Sequence, residues 1–251
     1  MWGMPTPTDV LLARFLERLV PLDPVAVWAH GSLAGGDYQE GRSDLDLVAV
    51  LPRPAGIRTA RAVVTLHRAL RAEPLADRLH CSYLAPDTLG DAGRAHLTWA
   101  HEHVLSRPVT PVTRRELAAF GRVLYGAAPD RLLPPVPDAE LGAFVVRDQR
   151  EFWRPAVDRP RLWRQDIWVD LGLTTHARAV ITLREGRLVP KREALDALPG
   201  LGAPAEVVED VRRRRYDGPG EPPTEPWTVH RAELTRSFLA PAIDALVTAY
   251  G

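Results

Sequence analysis

Residues 25–51 read VAVWAHGSLAGGDYQEGRSDLDLVAVL, and this stretch holds two short apolar runs joined by a turn and a polar loop. The first run, residues 25–29, ends at Gly31 and Ser32, as a buried strand does when it enters a tight turn. The second run, residues 45–51, carries Asp44 and Asp46 at its start. Because strand side chains alternate, residues two apart share one face at a spacing of roughly 7 Å. The pattern predicts strand, turn, short helix, loop and strand, with both carboxylates on one face.

Two carboxylates entering an apolar strand are costly unless a cation binds them. Mg²⁺ is the predicted occupant, because it takes a few carboxylates, waters and substrate phosphates. Gly31 lets the backbone pass close to a ligand, and Ser32 offers a hydroxyl and an N–H where a helix begins, which favours phosphate. The alternative is a β-turn followed by a surface strand with solvated aspartates, but the apolar residues 47–51 favour a buried strand.

The composition limits the classes of partner. A chain of 251 residues suits one or two domains with a real core. Zero net charge gives no overall basic field for nucleic acid. The sequence contains no apolar run of membrane-spanning length and no signal-peptide pattern, and its single cysteine, Cys81, fits a reducing compartment. We therefore expect a cytoplasmic monomer that binds neither nucleic acid nor membrane. Lys191 is the one lysine among 32 basic residues.

The remaining patterns predict the other elements. Thr8 is a plausible N-cap of the first helix, and Thr113 with Glu116 reads as a capping box. A proline-rich loop over 126–137 marks a domain boundary, and 218–226 reads as a linker. Helices are expected over residues 8–20, 59–70, 113–125, 138–153, 166–183, 191–198, 205–216 and 229–250, and a third strand over residues 79–84.

Four features leave alternatives open. His80 on the third strand has three interpretations. It is a general base, it stands where a catalytic base has been lost, or it is a histidine whose hydrogen bonds are satisfied at a strand end. Trp99 either stacks on a ligand as part of its pocket or is a core residue. The histidines at 101 and 103 with the glutamate between them lack metal-ligand spacing on a helix. The arginines at 212–215 have two interpretations: they interact with solvent and with the dipole of the helix that they end, or they contact phosphate.

The Gly-Ser turn followed about a dozen residues later by Asp-Leu-Asp is similar to the signature of the nucleotidyltransferase superfamily that includes DNA polymerase beta. Over nearly its whole length the chain resembles the streptomycin/spectinomycin adenylyltransferases. The resemblance rests on the motifs at residues 31–32, 43–46, 124–126, 135–137, 182–191 and 216–218.

The resemblance implies an α+β fold: a polymerase-beta-like nucleotidyltransferase domain with a mixed sheet over residues 1–130, and an all-α helical bundle over residues 131–251. It also implies Mg²⁺ as cofactor and ATP as co-substrate. The catalytic acids Asp44 and Asp46 match Mg²⁺ ligands, and His80 falls where the family has a catalytic glutamate. Nucleotide contacts match Gly31, Ser32, Ser43, Glu116, Lys191 and Tyr216, and substrate contacts match Trp99, Asp166 and Asp170.

The sequence therefore predicts an ATP-dependent transferase that moves AMP onto a hydroxyl of a small, cationic, aminoglycoside-like acceptor. Two departures from the family matter. The acid expected at His80 is absent, and the acidic drug-binding positions fall near Arg164 and Trp168, with Asp166 and Asp170 close by. A weakened or non-catalytic ATP-binding homologue, or an adenylyltransferase with a different acceptor such as a protein, is the alternative.

Overall fold

The computed structural model describes residues 4–218 and 221–251, and the chain divides into two compact units, Met1–Val136 and Pro137–Gly251. The expected boundary after residue 130 falls inside a short helix in the structure. Leu133 packs in the core of the first unit, and the Arg115 guanidinium donates to the carbonyl of Val136 at 2.6 Å. These contacts hold the segment up to Val136 on the first unit.

The first unit is built on one six-stranded sheet. Its strands are β1 (Ala26–Ala29), β2 (Leu45–Val50), β3 (Leu79–Leu84), β4 (Ala95–Ala100), β5 (His103–Pro108) and β6 (Arg122–Gly126). Their spatial order is β5-β4-β3-β2-β1-β6, and the neighbouring pairs are antiparallel except for the parallel pair β2 and β3. The mixed sheet expected from the sequence is confirmed.

Alternation along β1 and β2 sends their side chains to two cores. The helices of this unit are α1 (Pro7–Leu19), α2 (Gly31–Ala34), α3 (Ile57–Leu70), α4 (Pro111–Phe120) and α5 (Pro129–Leu132), with 3-10 turns at Val20–Leu22, Ala76–Arg78 and Pro86–Thr88. Val27, Leu45 and Leu47 pack with residues of the helices α1 and α3. Trp28 and Val48 pack on the other face with Leu117 of α4.

The helix expected to run from 113 to 125 is wrong at both ends. It begins after Thr110, whose hydroxyl accepts the N–H of Thr113 at 3.2 Å, so the predicted capping box does not form. It ends at Phe120, and the following residues pair with β1 as the edge strand β6. The expected N-cap Thr8 is also wrong. Thr6 caps α1, and the Thr8 hydroxyl is buried against Glu40 at 2.7 Å.

The second unit is helical, as expected. Thr224 caps its last helix, which begins earlier than predicted, and residues 219 and 220 of the predicted linker lie outside the described residues. No helix in the described ranges is both long enough and apolar enough to cross a membrane. The helices are α6 (Asp138–Asp148), α7 (Arg154–Val157), α8 (Asp166–Glu185), α9 (Lys191–Ala197), α10 (Ala205–Tyr216) and α11 (Glu225–Tyr250), with a π-helical segment at Gln149–Trp153 and 3-10 turns at Leu162–Arg164 and Pro199–Leu201.

Candidate active site on the first unit

Asp46 and Gly31 meet where β1 gives way to α2. Asp46 alternates with the buried residues of β2 and faces the same side as Val48. Gly31 has a φ of +60°, and a Cβ placed on it would stand 2.9 Å from Oδ2 of Asp46. The N–H of His30 donates to the backbone carbonyl of Asp46 at 2.9 Å. The turn therefore presses its backbone against the carboxylate, which only glycine permits.

Asp44 lies two residues before Asp46, at the entry to β2, and both carboxylates remain open to solvent. Their side chains are 42% and 35% exposed, respectively. Arg78 lies 3.8 Å from Oδ1 of Asp44. The sequence did not single out Arg78, although it stands immediately before the third strand. A partly exposed carboxylate pair on one side of a sheet keeps oxygens available to an incoming cation.

His80 is the residue that β3 places beside the two acids. It is the register partner of Asp46 in the parallel pair, so the two side chains leave the sheet on the same face. Its Nδ1 lies 3.6 Å from Oδ1 of Asp46 and 4.0 Å from Oδ2 of Asp44. The His80 side chain is only 7% exposed, and its Nε2 is buried without a hydrogen-bond partner among the described residues. The ring of His101 stands edge-on to it at 4.5 Å.

The predicted serines have different surroundings. Ser32 lies in the four-residue helix α2, and its carbonyl accepts the N–H of Asp37 at 3.1 Å. Ser43 is buried, and its hydroxyl accepts the N–H of Gln39 at 3.1 Å. The Ser43 N–H donates to the carbonyl of Gln39 at 2.8 Å. Ser43 thus closes the polar loop that delivers the two aspartates to β2.

A buried ion pair borders the turn. Nδ1 of His30 lies 3.2 Å from Oε2 of Glu116, which is itself buried on α4. Burial alone lowers the pKa of His30, but the hydrogen bond to Glu116 and the charges of Asp46 and Glu116 outweigh it, so the pKa is raised. Glu116 was expected near the nucleotide. His30 was not predicted, although its place between β1 and the Gly-Ser turn was a usable signal.

A known family resembles part of this chain in sequence, and a known structure resembles it in fold. Residues 11–117, which contain the turn, both aspartates and His80, match the family described as Nucleotidyltransferase domain. Residues 11–117 therefore form a nucleotidyltransferase domain. None of the curated proteins matches its sequence significantly. Among solved structures it is similar to the spectinomycin adenyltransferase AAD(9) from Enterococcus faecialis, with ATP and spectinomycin. The TM-score is 0.71 at 15% identity over 94% of this chain and 97% of that one.

The likeness in structure covers both units and confirms, at the level of the fold, the resemblance to the spectinomycin adenylyltransferases. A nucleotidyltransferase domain followed by a helical unit is the architecture that the sequence predicted.

The structure places Trp99 of the nucleotidyltransferase domain in the core. It is 4% exposed and stacks on the ring of His67 with centroids 4.6 Å apart. Its neighbours His101 and Glu102 form the tight turn between β4 and β5, both with positive φ. In the described part of the chain, no three histidine, cysteine, aspartate or glutamate side chains are already gathered as a metal site.

In the helical unit, Asp166 and Asp170 belong to a network of ion pairs. The buried Arg231 donates to Asp166 at 2.6 Å and to Asp210 at 3.0 Å. Arg214 donates to both oxygens of Asp170, at 2.7 and 3.0 Å. Burial raises the pKa of the Asp170 carboxyl, although Arg214 opposes this shift. The arginines of the 212–215 run are largely committed to this network and to nearby acids.

Lys191 and Tyr216, the nucleotide contacts expected in the helical unit, sit at helix ends. Lys191 is the first residue of α9, and Tyr216 is the last residue of α10. The guanidinium of Arg192 lies over the Tyr216 ring at 4.2 Å, and Arg215 donates to the Tyr216 hydroxyl at 3.2 Å. Arginine contacts therefore hold the tyrosine ring in a defined orientation.

Proposed function

We propose that this nucleotidyltransferase moves AMP from ATP onto a hydroxyl of a small aminoglycoside-like acceptor, with Mg²⁺ or a similar divalent ion. The observation that carries the proposal is the meeting of Asp44, Asp46 and the Gly31 turn on one side of the sheet of a nucleotidyltransferase domain. The similar solved structure, that of the spectinomycin adenyltransferase, holds ATP and spectinomycin, and this supports the choice of substrates.

Asp44 and Asp46 suit a hard divalent cation. Both offer carboxylate oxygens with substantial exposure, which leaves room for waters and phosphate oxygens beside them. The glycine at residue 31 keeps the space next to Oδ2 of Asp46 free of any side chain of its own. When bound there, the ion neutralises phosphate charge and helps to align the α-phosphate.

The chain's own residues then bind and orient the nucleotide. The backbone at Gly31 and Ser32 approaches the phosphates, and the loop closed by Ser43 holds the two aspartates in place. We carry over Glu116, Lys191 and Tyr216 as nucleotide contacts from the resemblance. The isolation of Lys191 in an arginine-rich chain supports a need for a compact ammonium there.

The acceptor hydroxyl oxygen bonds to the α-phosphorus while the bond between the α- and β-phosphates breaks, and pyrophosphate leaves. The proton of the hydroxyl passes to solvent water in the same step, because the carboxylate pair is open to water. Asp166 and Asp170 are proposed acceptor contacts. Their side chains are 46% and 32% exposed, so part of each carboxylate faces solvent beside its arginine partners.

The direct test incubates purified protein with ATP labelled on the α-phosphate and separate panels of spectinomycin, streptomycin and other aminoglycosides. Reactions contain Mg²⁺ or Mn²⁺. The expected result is labelled acceptor and released pyrophosphate with at least one compound. If ATP binds but no acceptor in the panel is labelled with either ion, the proposed reaction is wrong.

A further inference from the structure

We propose that His80 is a ligand of the divalent ion at Asp44 and Asp46, and that it shifts the preference of the site from Mg²⁺ towards a first-row transition ion such as Mn²⁺. This rests on the proposed function, in which the two aspartates hold that ion. It gives His80 a role other than that of a general base.

The first support is the position of the imidazole nitrogen. Nδ1 of His80 approaches both carboxylates, at 3.6 Å from Asp46 and 4.0 Å from Asp44. These separations exceed an ordinary hydrogen bond. Two ligands on adjacent positions of one ion, with bonds of about 2.0–2.2 Å, stand about 3–3.5 Å apart. The three side chains are not a closed ligand set as they stand, and their separations exceed that spacing by about 1 Å or less.

The second support is the burial of the rest of the ring. The side chain is 7% exposed, and Nε2 is buried without a hydrogen-bond partner in the described ranges. Burial fixes the ring and leaves Nδ1 as the nitrogen that stands beside both carboxylates.

The third support is the chemistry of the donor set. Mg²⁺ prefers oxygen ligands alone, whereas imidazole suits first-row transition ions. A site of two carboxylates and one imidazole has a mixed set of oxygen and nitrogen donors. Replacing the acid of the family by His80 changes this set without removing either aspartate, and a change of metal preference follows.

The experiment uses the full chain without a histidine tag and Mn²⁺ alone as the probe. Pulsed EPR measures coupling between bound Mn²⁺ and a directly bonded ¹⁴N nucleus. Calorimetry measures the Kd of Mn²⁺ and of Mg²⁺ for the wild type and three variants. The variants are His80→Gln, the neighbouring-ring control His101→Ala, and Asp46→Asn.

The wild type and His101→Ala should show ¹⁴N coupling, and His80→Gln should lose it. The ratio of the Mg²⁺ Kd to the Mn²⁺ Kd should fall about tenfold or more in His80→Gln. Mn²⁺ that binds the wild type without ¹⁴N coupling, or coupling that survives in His80→Gln, overturns the role of His80 and leaves the proposed reaction standing. Binding that Asp46→Asn does not weaken overturns the metal site of the proposed function itself.

Discussion

Nδ1 of His80 lies 3.6 Å from Oδ1 of Asp46, and the two residues are register partners in the parallel pair of the sheet. Parallel pairing sets residues of neighbouring strands side by side on one face. The spacing of the site therefore depends on the register between β2 and β3. Leu45 and Leu79, the preceding partners, are fully buried and hold that register from the opposite face.

Asp46→Asn should lower AMP transfer by about 100-fold or more, because an amide loses the charge that holds the divalent ion. The measurement is pyrophosphate release at saturating ATP. Asp77→Asn is the matched control, since Asp77 is an exposed carboxylate on the same unit whose ion pair is with the adjacent Arg78. Full activity in Asp46→Asn would exclude the metal assignment.

The turn and both aspartates were predictable because their signals are local. A strand, a glycine turn and alternating acids can all be identified within 27 residues of sequence. The pairing of His30 with Glu116 joins residues 86 positions apart and was invisible to such patterns. Glu116 matched a capping box by spacing, but packing of α4 against the sheet directed its carboxylate to His30 instead.

Asp210→Asn should destabilise the helical unit by about 1–3 kcal/mol, because the buried Arg231 loses the charge of one of its two carboxylate partners. Arg231 is fully buried and donates to Asp210 at 3.0 Å. Burial acts to raise the pKa of Asp210, yet the hydrogen bonds from Arg231 and Arg214 hold it below its ordinary value.

Denaturant unfolding measures this loss of stability. Asp196→Asn is the control, because Asp196 is exposed and its pair with Arg212 contributes little. Equal stabilities for the two variants would show that the buried network is not a stability determinant.

The stability of the helical unit should fall as the pH drops from 6.5 towards 4 because of His176. This side chain is 3% exposed, and burial lowers its pKa to about 4. In that window the unfolded chain binds a proton that the folded chain does not, so the free energy of unfolding decreases as the pH falls. The full effect is about 3 kcal/mol.

The measurement is the free energy of unfolding between pH 7.5 and 4.5. His176→Gln should reduce the pH slope by about one proton. His230→Gln, at an exposed position on α11, should leave it unchanged. A slope that is the same in the wild type and His176→Gln would contradict the burial argument.

Glu102→Gly should stabilise the first unit by about 1 kcal/mol. His101 and Glu102 both have positive φ in the two-residue turn between β4 and β5, a conformation that favours Asn-Gly. The lost ion pair with Arg71 is exposed and contributes little. Thermal unfolding checks the gain. An unchanged or lower Tm would mean that the turn is not strained.

Three strands escaped prediction for a related reason. Both strands of this hairpin and the edge strand β6 carry mixed polar and apolar residues, and β5 is exposed along its whole length. The edge strands β5 and β6 lack the apolar run that identifies a buried strand, and β4, which lies inside the sheet, has His96 and Thr98 between its apolar residues. Their pairing depends on partners elsewhere in the chain, such as Val27 with Tyr125, which local patterns do not encode.

His80→Glu tests whether the histidine sets both the metal preference and the rate. Glutamate supplies an oxygen in place of Nδ1, so the donor set becomes all-oxygen and suits Mg²⁺. It also places an acid beside Asp46. AMP transfer in Mg²⁺ should therefore rise about tenfold or more, while the advantage of Mn²⁺ shrinks.

Steady-state rates in each ion, for wild type, His80→Glu and His80→Gln, measure both effects. His80→Gln should lower the rate in both ions, because it supplies neither a nitrogen ligand nor an acid. If His80→Glu is slower than the wild type in Mg²⁺, the imidazole itself is required for transfer, and its role is not to replace a glutamate.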